Sequence, residues 1–404
     1  MRDSELYARI LGVSAPWQVT TVELREAEDV VEVFIEHRGE RLECPKCNAS
    51  SPGYDHRRRS FRHLDTCQMK TILTVDIPRV KCSEHGVLQV DVPWAEAGSR
   101  FTAMFEAVAI CWLREASITA VSRRLRLTWD EVDGIQQRAV RRGLKRREAQ
   151  PLEHIGVDET SFQKRHQYVT VITEAGRVVH VLDGRKKTAL KSFYLTLSDE
   201  QLACLRSVSM DMWPAYIEAT MAHVPDASSK ICFDRFHVAK HLNHAVNEVR
   251  KKEHRALRSE NDERLKSTRF LWLTNPENMS DGQHERFSEL RNDALLVARA
   301  WAIKELARQL WGQTSRGWAR RRWKKWLSWA MRSRLEPIKK AARMIRDHLY
   351  GIENAIAMGQ TNGPAEAINA GIQRIKRMAN GFRNPERFKN AIYFHLGGLD
   401  LLPT

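Results

Sequence analysis

The stretch VSMDMWPAY, Val208 to Tyr216, sets one carboxylate, Asp211, among the apolar residues Val208, Met210, Met212 and Trp213. A short apolar strand that ends on an acid has two explanations. The common one is a turn or cap residue, because Asp bonds readily to nearby backbone. The other is a ligand for a cation. The choice rests on whether a second acid ends a neighbouring strand.

At Pro151 the pattern changes from helical to alternating. LEHIGVDETSFQKRHQYVTVITEAGRVVHVLDGR predicts three strands: His154 to Val157, closing on Asp158; Tyr168 to Thr173; and, after the turn EAG, Val178 to Leu182, followed by Asp183-Gly184. A helix is expected over Thr188 to Leu197. A fourth strand, Leu205 to Met210, then ends on Asp211, and KICFDRFH supplies a fifth that ends near Asp234. Three antiparallel strands, a helix, then two strands alternating with helices is the order of an RNase H-like fold. There the first and fourth strands lie side by side, so Asp158 and Asp211 meet at one end of the sheet. Two adjacent carboxylates repel unless cations lie between them. Mg2+ (or Mn2+) suits such oxygen donors, and a pair of ions can serve the attacking and leaving oxygens of a phosphodiester. A third acid follows in TNGPAEAINAGIQRIKRMAN. Asn362-Gly363-Pro364 turns into a helix with Glu366 in its first turn, a place where helix dipoles favour any acid. Ile368, Ile372 and Ile375 give this helix an apolar face; Arg374, Lys376 and Arg377 give it a basic one.

The charge balance points the same way. Lys and Arg number 66 against 50 Asp and Glu, a net charge of +16, which argues for a polyanionic partner such as DNA over a merely soluble basic protein. The 404 residues, 42% hydrophobic, suffice for several cores. No run of about 18 apolar residues is present, so no membrane partner is expected. The N-terminus lacks a secretory pattern, and an intracellular location is expected. The odd count of seven cysteines favours metal ligands or free thiols over disulfides.

Four of those ligands form two knuckles. VVEVFIEHRGERLECPKCNAS alternates through Val31, Val33 and Ile35 before reaching Cys44-Pro-Lys-Cys47; KTILTVDIPRVKC leads to Cys82-Ser-Glu-His85 and Gly86. Two intervening residues let a tight turn aim both side chains at one ion, and strands are expected to carry both pairs. The set suits structural Zn2+. A redox Cys-x-x-Cys pair is the rival reading, and it does not explain the second knuckle. His63 and Cys67 are weaker rival ligands.

From Phe101 to Arg147 the period is helical. Phe101, Phe105, Val108 and Trp112 share one face of a first helix; Ile118, Val121 and Leu125 mark a short second one. A turn at Arg126-Leu127 leads to Thr128 and Glu131, the spacing of a capping box, and a third helix with Val132, Ile135 and Ala139 inward. Its far end carries Arg138, Arg141, Arg142, Lys145, Arg146 and Arg147. This is a helix-turn-helix pattern suited to DNA; a three-helix bundle with a solvated basic face is the plainer alternative. Between Asn243 and Arg343 the chain reads as helical and holds seven of the twelve tryptophans. In RGWARRRWKKWLSWAMRSR eight basic residues stand with no acid. Aromatics interleaved with Arg suit DNA, although most of these tryptophans are expected to be core.

The blocks RHLDTCQMKTIL, PRVKCSEHGV, GVDETSF, YVTVIT, VSMDMWPAY, FDRFHVAKHLNHAVNEVR, TNGPAEAINAGI and GFRNPERFKN together resemble the ISL-three family of bacterial insertion-sequence transposases, of the DDE type, over essentially the whole chain. The resemblance implies Asp158, Asp211 and Glu366 as the magnesium-binding catalytic acids, Asp234 and His237 as supporting residues, and Cys44, Cys47, Cys82 and His85 as a zinc set. It implies an enzyme of the bacterial cytoplasm, at the nucleoid during action, that binds terminal inverted repeats and cuts and joins DNA; because two ends must be joined to one target, an oligomer of at least two copies is expected. A domesticated, non-catalytic DNA-binding regulator is the alternative, and a stand-alone RNase H-like nuclease a weaker third reading. Together these readings predict a multidomain α/β chain: a zinc-binding module over 1–96, a helix-turn-helix over 97–149, the RNase H-like core over 150–242 and 346–404, and an all-helical insertion over 243–345.

Overall fold

The computed structural model describes all residues except Met1, Glu40, Ala149, 164–166, Ala294, Thr314, Asn362 and Thr404, and the side chain of Gln163. The expected turn residue Asn362 thus lies outside the described residues. The chain forms two compact units, Met1–Arg147 with Leu399–Thr404, and Glu148–Gly398.

The first unit opens with α1 (Asp3–Leu11) and the strands β1 (Trp17–Arg25), β2 (Val30–His37), β3 (Gly53–Thr66), β4 (Met69–Cys82) and β5 (Gly86–Gln89). They form one sheet in the order β1-β2-β4-β3, with β5 paired to β4. Alternation decides its faces: Val31, Val33 and Ile35 of β2 and Leu73, Val75 and Ile77 of β4 are all buried in one cluster. Cys82 ends β4 and pairs with Gly86 in a tight hairpin return. Gly86 has φ +72°, the left-handed region that glycine enters freely. The other knuckle departs from expectation. Cys44 to Cys47 lies in a loop, not a strand, closed by Asn48 N donating to Cys44 O (2.8 Å) and Cys44 N to Ala49 O (2.9 Å). A chain that folds back over four residues cannot stay extended.

Three helices follow, α2 (Ala103–Glu115), α3 (Ile118–Leu125) and α4 (Trp129–Arg146). The capping box is present: Glu131 N donates to Thr128 Oγ1 (3.3 Å) and Thr128 N to Glu131 Oε2 (2.8 Å). Arg126, at φ +54°, makes the turn between α3 and α4. The buried face of α2 differs from the expected one. Phe105, Ala109, Ile110 and Leu113 go inward, whereas Trp112 is exposed under the guanidinium of Arg124, 5.0 Å from its ring.

The second unit holds β6 (His154–Gln163), β7 (Gln167–Glu174), β8 (Arg177–Asp183), α5 (Lys187–Tyr194), α6 (Asp199–Cys204), β9 (Ser207–Met210), α7 (Pro214–His223), α8 (Ala227–Lys230) and β10 (Ile231–Phe233). The sheet order is β10-β9-β6-β7-β8; β6, β7 and β8 are antiparallel, and β9 and β10 run parallel to β6. The helix expected over Thr188 to Leu197 is α5, which stops at Tyr194; α6 is a separate helix beyond that span, started by Ser198, which accepts from Gln201 N at 3.3 Å. Asp158 also differs from expectation. It stands inside β6 rather than at its end, since β7 keeps pairing with β6 as far as Gln163. The parallel partner β9 stops earlier, at Met210 opposite Val157. Asp158 is therefore the first β6 residue with no β9 neighbour.

From Arg235 to Met358 the described residues form no strand. The helices are α9 (Arg235–Ser259), α10 (Arg269–Leu273), α11 (Asp281–Asn292), α12 (Leu296–Gln309), α13 (Arg316–Arg332), α14 (Glu336–Asp347) and α15 (Leu349–Met358). The run starts at Arg235, eight residues before the expected Asn243, because Asp234 caps α9, its Oδ2 accepting from Phe236 N at 2.9 Å. Finally α16 (Gly363–Met378) and α17 (Pro385–Leu396) return to the sheet. Ile368, Ile372, Phe388 and Ile392 cover one face of it, against Phe162, Val169 and Val171. Ile155, Val157, Ile172, Val208 and Met210 belong to the other core, shared with the helices. Each such buried side chain contributes on the order of 1.5–3 kcal/mol. Among the described residues, no helix is long and apolar enough to cross a membrane.

Candidate active site

The parallel pairing of β6 with β9 brings two acids together. Val157 lies opposite Met210, so the next residues, Asp158 and Asp211, leave the two strands side by side, at a strand spacing of about 4.8 Å. Asp158 shares its sheet face with Thr160 and Phe162, the face that α16 covers. Three polar residues of α16 then track along β6. Asn369 Nδ2 donates to Asp158 Oδ2 (2.6 Å), Gln373 Nε2 to Thr160 Oγ1 (3.1 Å) and Lys376 Nζ to Ser161 O (2.7 Å). Glu366 stands one turn before Asn369 on the same side of α16, exposed to solvent.

Each acid of the pair is held from its own backbone as well. Glu159 N donates to Asp158 Oδ1 (2.7 Å) and Met212 N to Asp211 Oδ1 (2.6 Å). His237, in the first turn of α9, brings Nδ1 to 3.4 Å from Asp211 Oδ1. Asp234 works differently: it caps α9 and so aims His237 at the acids. Burial pushes the Asp158 carboxyl up to about 6; the charges of Asp211 and Glu159 add to this, while the bond from Glu159 N and the proximity of His237 oppose it. A carboxylate held in so costly a charged form gains from an adjacent cation, and the two acids supply the hard oxygen donors that Mg2+ prefers.

Three residues beside the acids had no reading from sequence. Asn369 and Glu366 are three apart on one helix, so the spacing was there to be read. His241, whose ring is made less basic by burial, lies one turn beyond His237 and senses the charge of Asp211. Arg185 ion-pairs with Glu159 (3.2 Å), its guanidinium 4.2 Å from the Tyr168 ring and 5.3 Å from that of Trp213. No local pattern announces it, because Tyr168, Arg185 and Trp213 come from three separate segments.

A second centre lies in the first unit. The donor atoms of Cys44, Cys47, Cys82 and His85 all lie within 4.8 Å of one another. Cys47 Sγ to Cys82 Sγ is 3.7 Å, Cys82 Sγ to His85 Nδ1 3.6 Å, and Cys44 Sγ to His85 Nδ1 3.8 Å. A tetrahedron with Zn–S near 2.3 Å and Zn–N near 2.0 Å has edges of about 3.5–3.8 Å, so the set fits Zn2+ with no position left open. The Cys82 thiol is lowered to about 6, first by the backbone N–H groups of Glu84 and His85. The rival donors are elsewhere: His63 Nδ1 is bonded to Thr102 Oγ1 (2.9 Å), and Cys67 is exposed in the β3–β4 turn.

The basic end of α4 is not uniformly available. Arg142 is buried, bonded to Glu96 and to Glu106 (3.0 Å); Arg138 is also paired with Glu106, at 2.6 Å. Stranding the buried Glu106 would cost on the order of 3–5 kcal/mol. Arg146 binds Asp400 (2.9 Å) and the carbonyl of Leu402 (2.6 Å), and Arg147 is half-buried at the end of α4. In this structure the charges of Arg138, Arg142 and Arg146 answer acids and carbonyls of the protein. Arg141 and Lys145 are exposed, as are Arg374 and Arg377 on α16.

Family models match three stretches. A transposase model of the ISL3 family covers 155–392, the helix-turn-helix domain of transposase family ISL3 covers 90–140, and the zinc-finger of transposase IS204/IS1001/IS1096/IS1165 covers 40–85. The transposase for insertion sequence element IS1557 of Mycobacterium tuberculosis is 28% identical over 420 residues, spanning 96% of this chain and 94% of its own length. The transposase for insertion sequence element IS1001 of Bordetella parapertussis is 26% identical over 383 residues, spanning 92% and 94%.

Proposed function

We propose that this chain, which belongs to the ISL3 family of insertion-sequence transposases, binds the terminal inverted repeats of its element and catalyses metal-dependent cleavage and strand transfer. The observation that carries the reading is the register of β6 against β9, which sets Asp158 beside Asp211 under the helix of Glu366. Asp158, Asp211 and Glu366 are the residues to hold Mg2+ (or Mn2+). Bound there, a pair of divalent ions supplies Lewis-acid activation of the attacking and leaving oxygens. The chain's own part is orientation. Asn369 holds one oxygen of Asp158, the Glu159 N–H holds the other, and His237 steadies Asp211 from α9. The strand order supports an RNase H-like core over 150–242 and 346–404, with the helices of 243–345 inserted before the Glu366 helix.

DNA ends are the role of the helix-turn-helix, with Arg141 and Lys145 exposed at the far end of α4, and Arg374 and Arg377 exposed further along the helix of Glu366. The zinc set serves as a structural clip for the first unit. Two element ends must be joined to one target, so the working form is at least a dimer.

The test is a cleavage and joining assay on a duplex carrying the element's end, with light scattering of the protein–DNA complex. Mg2+ should give cut and joined products, EDTA none, from a complex of two or more chains. Full activity in EDTA, or from a complex of one chain and one end, overturns the reading. A second expected result concerns Asn369. Replacing it with Ala should raise the Mg2+ concentration for half-maximal cleavage by about tenfold or more, because partners that orient a metal's ligands carry that much affinity. An unchanged Mg2+ titration removes Asn369 from the site.

A further inference from the structure

Helix α13 carries two tryptophan stripes of the same spacing on different sides. Ala319, Trp323, Trp326 and Ala330, at i, i+4, i+7 and i+11, are all essentially buried, and Trp326 Nε1 donates to Ile303 O at 2.8 Å. This stripe is core, as the sequence led one to expect for most of these tryptophans. The neighbouring stripe, Trp318, Arg322, Lys325 and Trp329, repeats the spacing one residue out of phase and faces solvent. Trp318 is 58% and Trp329 37% exposed. Two part-exposed indole rings thus stand on one solvent-facing side of the helix with two cations between them.

The charges around the stripe divide in two. Arg320 grips the buried Glu353 through both of its oxygens (2.7–3.0 Å), and Arg316 lies 3.8 Å from the same carboxylate, so these two anchor α13 to α15. Arg321, Arg322, Lys324 and Lys325 are exposed, and among the described residues no carboxylate lies within ion-pair distance of any of them. The Arg321 guanidinium lies 5.4 Å from the Trp318 ring. A helix face that is cationic and unneutralised complements a polyanion.

We infer that the exposed Trp318–Arg322–Lys325–Trp329 face of α13 is a binding surface for a DNA strand with unpaired bases. Duplex phosphates need only the cations. The rings add a demand that a duplex does not meet, because its bases are already stacked, whereas unpaired bases stack on aromatic side chains in a sequence-tolerant way. Eleven residues of helix set the two rings about 16 Å apart, the length of about five stacked bases at 3.4 Å each. Arg322 and Lys325 fall between them, where the strand's phosphates would run. The surface lies on the same unit as the acid pair: α13 packs on α15, α15 on β10, and β10 pairs with β9, which ends at Met210, one residue before Asp211. It involves none of the acids and does not depend on their role.

The full-length protein, in EDTA, is titrated against labelled oligothymidylate and against a random-sequence duplex of equal length, read by fluorescence anisotropy. Trp318→Ala/Trp329→Ala should weaken oligothymidylate binding roughly tenfold or more and leave duplex binding close to wild type. Arg322→Gln/Lys325→Gln, which disturbs no packing and carries the test should the tryptophan variant unfold, should weaken oligothymidylate binding and lower its salt slope by about 1.4. Wild-type oligothymidylate affinity in either variant overturns the inference. So does an equal loss on both probes from the tryptophan variant, or failure of the parent protein to bind oligothymidylate. The titration in EDTA reads binding alone and needs no cleavage, so its outcome stays separate from that of the cleavage assay.

Discussion

Asp158→Asn, Asp211→Asn and Glu366→Gln should each lower cleavage of element ends by at least about 1000-fold, some 4 kcal/mol of transition-state stabilisation, while gel-shift affinity for the ends stays near wild type. The amide is nearly the same size as the carboxylate, so the fold has no reason to change. What changes is charge. Asp158 sits in a partly buried place that raises its carboxyl to about 6, next to a second acid. A cation bound between them would offset both charges, and an amide in either place would leave too little negative charge to hold a hard divalent ion. End affinity is expected to persist because the helix-turn-helix lies in the other unit. Near-normal cutting by Asp211→Asn sinks the mechanism.

The other large effect concerns zinc. Metal analysis of the purified protein should find one Zn2+ per chain, and chelation or Cys44→Ser should unfold the first knuckle and weaken end binding by at least about tenfold. Structural zinc contributes on the order of 10–16 kcal/mol in small modules, and the Cys44–Cys47 loop has little else to hold it. Cys47 is exposed, and the turn is closed by a few backbone hydrogen bonds. Hydrogen exchange would localise the loss to this loop and the β4–β5 hairpin. A zinc-free protein that binds the ends fully after chelation removes the role. The natural chain, not a fragment cut at 148, is the material to use, because Leu399–Thr404 belongs to the first unit and binds Arg142 and Arg146.

The helix that carries Glu366 shows how far one sequence goes. Its apolar face, Ile368, Ile372 and Ile375, is as read, because a period of 3.6 is a local property of the chain. That Asn369 bonds Asp158 required knowing which strand this face covers, 211 residues away.

The same division runs through the molecule. The sequence by itself determined what short-range geometry controls. Two residues between ligands bring Cys82 and His85 to one point, Thr128 and Glu131 cap α4, and alternation separates the faces of β2 and β4. Tertiary structure alone decided where each neighbour stops and what each charge meets. β9 ends at Met210 while β7 continues, which leaves Asp158 open in mid-strand. Glu96 and Glu106 claim Arg142, which sequence alone placed beside its exposed neighbour Arg141. Trp323 and Trp326 go inside while Trp318 and Trp329 stay out. Hydrogen bonding and side-chain spacing act over a few residues and leave their mark in the order of letters. Burial and ion pairing depend on which distant segment lies opposite, and that is settled only when the segments pack.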